Sequence, residues 1–150
     1  MNQINIFYAD DDDDDLMIFN DAVTSIFEKN QKQYTISLHK NGDDLLENIL
    51  NYKSNNSIVF LDLLMPRKSG FHLLEEIRKV TQINKIPVII YSTSSDERDI
   101  KMSYNLGANF YLFKPNNFND LILNIKKIIQ TNWKNHQTDV EHFVFNKPLY

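Results

Sequence analysis

The stretch SIVFLDLLMPRKSG, residues 57–70, is the part of the sequence that decides the fold. Its first five residues, Ser57–Leu61, form a continuous apolar run of strand length, which indicates a buried strand. Asp62 follows at once, and Pro66 and Gly70 interrupt the chain before an amphipathic run begins. A buried strand that ends on a carboxylate and leads into a helix is typical of a parallel α/β sheet.

Strand patterns and helical patterns alternate on both sides of this stretch. The predicted strands are Ile4–Ala9, Tyr34–His39, Ser57–Leu61, Pro87–Tyr91 and Asn109–Phe113. The predicted helices are Asp14–Lys29, Asp43–Tyr52, Phe71–Val80, Ser94–Asn105 and a last one capped by Asn117 that continues to Ile129. Five such units predict a (βα)5 fold, a doubly wound, flavodoxin-like parallel sheet of five strands with helices on both faces. The alternation in Tyr34–His39 is typical of a half-buried or edge strand.

Polar residues at the helix ends predict where the helices begin and end. Asp14 or Asp15 is expected to start the first helix, and Ser94 has capping-box spacing with Glu97 for the fourth. Gly107 suits the C-terminal cap of the fourth helix.

Composition excludes several classes of protein. The chain has 150 residues, of which 42% are apolar, and a formal net charge of −4, so we expect one globular domain. It has no Cys, which excludes disulfides, thiolate metal ligands and a thiol nucleophile. Six of the twenty acidic residues stand together at 10–15, so a metal cation is a better candidate partner than nucleic acid. No signal peptide and no apolar run of membrane length is present, and we expect a soluble cytoplasmic protein without membrane contact.

Chemically active side chains fall where the predicted strands end. Asp10 and Asp11 end the first strand, Asp62 the third, Ser92 the fourth and Lys114 the fifth. Ligands of doubly wound sheets bind outside these carboxyl ends, where the strand order reverses. Two carboxylates about 4 Å apart repel by roughly 4 kcal/mol at an effective dielectric of about 20, and a divalent cation relieves this repulsion. Mg²⁺ prefers such oxygen ligands.

Four motifs together resemble the CheY-like receiver domain of two-component response regulators. They are the acidic pair Asp10-Asp11, DLLMPRKSG at 62–70, which fits D-x-x-M-P-x-x-x-G, PVIIYS at 87–92 and GANFYLFKP at 107–115. The resemblance extends from about Gln3 to Trp133. Each motif is weak alone, but their order and spacing are specific.

The resemblance implies that Asp62 accepts a phosphoryl group from a phosphohistidine. It also implies that Asp11, Asp62 and the backbone carbonyl of Leu64 bind Mg²⁺ directly, while Asp10 acts partly through water. Asp62 is then the nucleophile of an in-line displacement.

The resemblance assigns further roles around the phosphoryl group. Lys114 offsets its charge, aimed by a Lys114–Pro115 bond that is typically cis in receivers. The Ser92 hydroxyl binds a phosphoryl oxygen after phosphorylation, and Tyr111 then rotates inward. The implied output surface consists of the fourth helix, the fifth strand and the fifth helix.

These expectations describe a stand-alone response regulator that signals by protein contact. Its partners are a sensor histidine kinase or phosphotransfer protein and a downstream protein target, with the chain as a monomer or weak homodimer. The receiver is expected to occupy 1–135. The segment 136–150 retains aromatic residues (Phe143, Phe145 and Tyr150) and is either a docking or dimerisation segment or a loosely ordered tail.

Other functions were weighed from the same residues. An aspartyl-phosphate phosphatase needs a second acid two residues after its nucleophile, where this chain has Leu64. A degenerate receiver that only binds partners is disfavoured because Asp62, Asp11, Ser92 and Lys114 are all present. Asp12–Asp15 is interpreted mainly as a solvated helix cap, and Asp15 stands where an EF-hand loop requires Gly.

Overall fold

The structure, a computed structural model, describes residues 3–52 and 56–147, and within these ranges five βα units follow one another. The strands are β1 (Ile4–Ala9), β2 (Tyr34–His39), β3 (Ser57–Leu61), β4 (Val88–Ser92) and β5 (Phe110–Phe113). The helices are α1 (Asp13–Asn30), α2 (Leu45–Asn51), α3 (Gly70–Lys79), α4 (Glu97–Asn105) and α5 (Phe118–Ile129). This architecture confirms the predicted (βα)5 fold.

All neighbouring strands are parallel, and their order in the sheet is β2-β1-β3-β4-β5. β2 is an edge strand, in agreement with its alternating pattern. Chain order reverses between β1 and β3, so the two connections that follow these strands diverge and leave a crevice at their carboxyl ends.

Alternate residues of each strand face two separate hydrophobic layers. Ile6 and Tyr8 of β1 pack in the layer covered by α1 and α5, whereas Phe7 and Ala9 pack in the layer covered by α2 and α3. The partly buried α4 residue Tyr104 also packs in the second layer. Because both faces of the sheet are covered, the inner strands β1, β3 and β4 are mostly apolar, whereas the edge strand β2 alternates polar and apolar residues.

Two predicted helix starts are wrong, for a common reason. Asp12, not Asp14 or Asp15, caps α1 and accepts a hydrogen bond from the backbone N–H of Asp15. Asp96, not Ser94, caps α4, because the Ser94 hydroxyl donates to Asp99 instead. Where several neighbouring residues can cap a helix, hydrogen bonds to residues farther along the chain decide which of them becomes the cap.

The other predicted caps are confirmed. Asn117 caps α5 by accepting from the N–H of Asp120. Gly107 follows α4 with φ +98°, a left-handed conformation that favours glycine, and its N–H donates to the Tyr104 carbonyl.

The described part of the C-terminal segment, residues 136–147, returns to the sheet and lies beside β5. A parallel bridge joins Tyr111 of β5 to Val144. Tyr150, one of the aromatic residues of the predicted docking segment, lies outside the described residues. Among the described helices, none is both long and apolar enough to cross a membrane.

Candidate phosphoacceptor site

Three carboxylates converge at the carboxyl ends of β1 and β3. Ligand oxygens of Asp10, Asp11 and Asp62 all lie within 4.8 Å of one another. Asp10 and Asp62 are buried, whereas Asp11 is exposed, so one side of the cluster opens to solvent. The topology therefore brings together residues that are 52 positions apart in the chain.

Backbone contacts hold the two acidic loops against each other. The N–H of Asp62 donates to the Ala9 carbonyl at 3.0 Å, which extends the β1–β3 pairing to the site. Gly70 begins α3 directly behind Asp62, and a Cβ on this residue would lie 2.4 Å from the Asp62 carbonyl oxygen. The glycine of the D-x-x-M-P-x-x-x-G motif is therefore needed for this close approach.

Lys114 supplies the positive charge of the site. Its Nζ lies 2.7 Å from Asp10 Oδ2, 2.8 Å from Asp15 Oδ2 and 3.6 Å from Asp62 Oδ2. Burial acts to lower the pKa of Lys114, but the hydrogen bonds to Asp10 and Asp15 and the charge of Asp62 raise it overall. The lysine stays protonated and bridges the two acidic loops.

The Lys114–Pro115 bond differs from the expectation. None of the described peptide bonds is cis. Lys114 nevertheless points into the site from the end of β5, and its N–H donates to the Ser92 carbonyl at 3.0 Å.

Asp10 is held by protein donors at both of its oxygens. The Tyr8 hydroxyl and Lys114 donate to Oδ2, and the N–H of Asp12 donates to Oδ1 at 3.0 Å. Burial, followed by the charge of Asp10, raises the pKa of the Tyr8 hydroxyl, which stays a hydrogen-bond donor. The expected water-mediated role of Asp10 in metal binding stays a prediction.

Asp62 is a buried carboxylate beside both Asp10 and Lys114. Burial raises the pKa of Asp62 to about 6, opposed by the charge of Lys114 and reinforced by that of Asp10. The N–H of Leu64 lies 3.5 Å from Asp62 Oδ1, whereas the Leu64 side chain is 62% exposed. At position 64 the backbone, not the side chain, therefore faces Asp62. Binding of a metal ion by the Leu64 carbonyl stays a prediction.

Ser92 and Tyr111 belong to a connected loop beside the carboxylates. The buried Ser92 hydroxyl accepts from the N–H of Ser94 at 3.1 Å, and the Tyr111 hydroxyl donates to the Ser94 carbonyl at 2.9 Å. Tyr111 is fully buried, so its ring already faces inward. The expected roles of both residues in switching stay predictions.

Three residues of the site were missed in the sequence. Asp15 was assigned to the solvated cap, yet it binds Lys114 from the first turn of α1. Tyr8 and Tyr91 line the site, with Lys114 Nζ 5.4 Å from the centre of the Tyr91 ring. Strand alternation places Tyr8 on the same face as Asp10 and could have identified it. No local signal connects Asp15 with a lysine 99 residues away.

The donor set fits a hard divalent cation. Three carboxylates that approach within 4.8 Å offer oxygen ligands only, and burial together with the charge of Asp10 raises the pKa of Asp62. Mg²⁺ prefers a few carboxylates together with water, and the exposed side at Asp11 leaves room for that water.

A doubly wound parallel sheet with three carboxylates at its carboxyl edge defines a class of α/β protein, and comparison with known families gives the class a name. Residues 6–126 match the family described as the response regulator receiver domain. The chain belongs to this CheY-like family of two-component systems.

Curated relatives agree with this assignment. The response regulator Rcp1 of Synechocystis sp. is 38% identical over 72 residues, which cover 48% of this chain and 49% of that protein. The response regulator RR06 of Streptococcus pneumoniae is 33% identical over 127 residues, 85% of this chain and 54% of that protein. The matched region thus spans about half the length of these relatives.

Solved structures share the fold. The phosphorylated cyanobacterial phytochrome response regulator RcpA matches with a TM-score of 0.73 and 27% identity, covering 91% of this chain and 97% of that one. The Mn²⁺-bound form of Rcp1 matches with a TM-score of 0.70 and 23% identity, covering 91% and 99%.

Proposed function

We propose that this chain is a cytoplasmic single-domain response regulator that accepts a phosphoryl group on Asp62 with Mg²⁺ bound and signals through phosphorylation-dependent protein contacts. One observation carries the proposal. A buried carboxylate at the reversal of strand order lies within reach of two further carboxylates and 3.6 Å from a lysine ammonium. This arrangement combines a nucleophile, a cation site and a fixed positive charge.

The reaction is an in-line transfer from a phosphohistidine. A carboxylate oxygen of Asp62 attacks phosphorus while the P–N bond breaks, and the released imidazole nitrogen retains the electron pair. Such transfers need positioning and charge neutralisation more than covalent catalysis. Lys114 supplies fixed positive charge, and the Tyr8 hydroxyl helps to hold Asp10 in place.

Asp10, Asp11 and Asp62 are the side chains that would hold Mg²⁺, together with the Leu64 carbonyl. When bound, the ion neutralises the carboxylates and the developing phosphoryl charge. The similar structure of Rcp1 is an Mn²⁺-bound form, which supports a divalent cation at this site. The similar structure of RcpA is a phosphorylated form, which supports phosphoryl acceptance.

Ser92 and Tyr111 would convert phosphorylation into a change at the surface. The Ser92 hydroxyl accepts from the Ser94 N–H and, by rotating its own proton, would donate to a phosphoryl oxygen. A contact made only in the phosphorylated state shifts the population of that state. The expected output surface is α4, β5 and α5, and the expected partners are a sensor histidine kinase or phosphotransfer protein and a downstream protein target.

Intact mass spectrometry after incubation with a small-molecule phosphodonor tests the proposal. We expect one phosphoryl adduct on the wild-type chain with Mg²⁺ and none when the metal is chelated. Asp62→Asn should abolish the adduct. Asp21→Asn, a matched change at an exposed position of α1, should leave it intact.

A wild-type chain that binds Mg²⁺ but gains no adduct, either from the phosphodonor or from a phosphorylated kinase, would contradict phosphoryl acceptance. A degenerate receiver that only binds partners would then be the better explanation. An adduct that persists in Asp62→Asn would contradict the choice of acceptor.

A further inference from the structure

The C-terminal segment pairs with the free edge of the sheet through an isolated parallel bridge between Tyr111 and Val144. The N–H of Tyr111 donates to the Phe143 carbonyl at 2.9 Å, and the N–H of Phe145 donates to the Tyr111 carbonyl at 2.8 Å. Both bonds involve Tyr111, the residue for which a switch role is expected. The segment therefore pairs with β5 at this position.

A side chain extends this pairing by one residue. Asn146 Nδ2 donates to the Phe113 carbonyl at 2.9 Å, and Asn146 Oδ1 accepts from the Phe113 N–H at 2.8 Å. The carboxamide thus satisfies both backbone groups of Phe113, as a neighbouring strand would do. Four hydrogen bonds in total fix the segment to β5.

Two aromatic residues attach the segment to opposite faces of the sheet. Phe143 is 3% exposed and packs edge-on against Tyr104 of α4, at 5.2 Å, and against Tyr111, at 6.4 Å. Phe145 packs on the other face against Phe110, at 5.1 Å. Phe143 therefore packs beside the buried Tyr111 on the side of the sheet that faces α4.

A continuous series of contacts connects this segment with the acidic site. From Phe143 it passes to the Tyr111 ring, from the Tyr111 hydroxyl to the Ser94 carbonyl, and from the Ser94 N–H to the Ser92 hydroxyl. Ser92 is in turn the residue expected to contact a phosphoryl group on Asp62. Phe143 at one end of this series and Ser92 at the other can therefore both influence the orientation of Tyr111.

We propose that Phe143 is a positioning residue that holds Tyr111 inward, so that docking of the C-terminal segment on β5 and phosphorylation of Asp62 strengthen each other. This inference rests on the proposed function. The docked segment is compatible with the inward tyrosine alone, and phosphorylation is expected to favour that same orientation. Because linkage is reciprocal, each event raises the equilibrium constant of the other by one common factor.

Amide hydrogen exchange combined with ligand binding tests this coupling in the full chain. The probe is beryllofluoride with Mg²⁺, which mimics a phosphoryl group on a carboxylate. In the wild type, the amides of Tyr111 and Phe145 should become about fivefold or more better protected when the probe binds. Phe143→Ala should lose this protection and should bind the probe more weakly by a similar factor.

Val140→Ala is the matched control, because Val140 lies in the same segment but is 74% exposed. It should behave like the wild type in both measurements. Should Phe143→Ala unfold, Asn146→Ala provides the second variant, since it removes only the contacts to Phe113 and keeps every core aromatic residue. It should change both readouts in the same direction.

Three results would overturn the inference. The first is equal protection of the Tyr111 and Phe145 amides in the wild type with and without the probe. The second is wild-type affinity for the probe in a variant whose Tyr111 and Phe145 amides have lost protection. The third is a loss of protection in Val140→Ala equal to that in Phe143→Ala. Failure of the proposed function looks different, because the wild type itself would then bind no beryllofluoride and gain no phosphoryl adduct.

Discussion

The proposed function requires Asp62 to be buried enough to be shielded from water and yet charged enough to act as a nucleophile. Burial raises its pKa to about 6, while Lys114 at 3.6 Å works in the opposite direction. A bound divalent cation would favour the ionised form further. The carboxylate is therefore poised for chemistry at the expense of stability in the metal-free protein.

The raised pKa predicts how the metal-free protein responds to pH. The folded chain holds the proton of Asp62 up to about pH 6, whereas the unfolded chain releases it near 3.8. The stability contributed by the protonated carboxyl is therefore complete below about pH 3.8 and is lost as the pH rises through 6. Asp62→Asn, which stays neutral, should be more stable than the wild type at pH 7 by about 1–2 kcal/mol.

Urea unfolding of both proteins in the presence of a chelator, from pH 4 to 8, measures this difference. The advantage of Asp62→Asn should grow with pH and should shrink when Mg²⁺ is added to both proteins. An advantage that does not vary with pH would show that Asp62 is not the titrating group.

Lys114 should contribute to stability as well as to phosphoryl acceptance. Its side chain is 10% exposed and contacts Asp10, Asp15 and Asp62. Lys114→Gln leaves this cluster without its cation, and we expect a loss of about 2–4 kcal/mol in the free energy of unfolding without metal. Lys40→Gln is the control, since it removes an ion pair with Asp13 whose lysine is 63% exposed, and its effect should stay below about 0.5 kcal/mol. Equal effects in urea unfolding would contradict the bridging role.

At the scale of elements, the junction between β3 and α3 determines the position of Asp62. A Cβ at position 70 would meet the Asp62 carbonyl at 2.4 Å, so Gly70→Ala must displace the loop that carries the carboxylate. We expect a loss of about 2 kcal/mol of stability together with slower phosphorylation.

Ser69→Ala separates these two effects. Ser69 caps the same helix by accepting from the His72 N–H, so its loss should cost about 1 kcal/mol without moving the loop. Gly70→Ala should lower both the stability in urea and the rate of adduct formation. Ser69→Ala should lower only the stability in urea. Unchanged phosphorylation in Gly70→Ala would mean that the loop tolerates displacement.

The strands were easier to predict than the helix starts. Ile4–Ala9, Tyr34–His39 and Ser57–Leu61 were predicted with the bounds that the structure has, because continuous or alternating apolar runs directly record burial. The predicted starts of α1 and α4 differ from the observed ones because several residues near each start are able to cap the helix. Contacts such as that of Ser94 with Asp99 decide among them, and they depend on the tertiary fold.

The site was predictable in part for a similar reason. Strand ends identified Asp10, Asp11, Asp62, Ser92 and Lys114 as neighbours, because topology places all of them at one edge of the sheet. Asp15 was missed because its partner, Lys114, approaches from β5. The pairing of Phe143 and Phe145 with Tyr111 could not be predicted either, because the sequence of residues 136–147 shows no strand periodicity.

At the scale of the whole molecule, we expect metal binding by Asp10, Asp11 and Asp62 to stabilise the folded state. A ligand that binds only the folded state adds RT ln(1 + [L]/Kd), which is about 2.7 kcal/mol at one hundred times the dissociation constant. Mg²⁺ should therefore raise the free energy of unfolding of the wild type. Asp11→Asn should remove this gain with little cost in stability, because Asp11 is exposed.

Urea unfolding at increasing Mg²⁺ concentration, with Na⁺ at matched ionic strength, measures the effect. An equal gain from Na⁺ would indicate general screening of the acidic run at 10–15 rather than a defined site.

Reductive trapping of the acyl phosphate tests the central claim at the level of a single residue. Borohydride reduces a phosphorylated aspartate to homoserine, and the tryptic peptide 54–67 contains Asp62 as its only acidic residue. After phosphorylation with Mg²⁺ and reduction, peptide mass spectrometry should find homoserine at position 62, and only when both the donor and Mg²⁺ were present. Homoserine at position 10 or 11 instead, or a reduction independent of Mg²⁺, would contradict Asp62 as the phosphoacceptor.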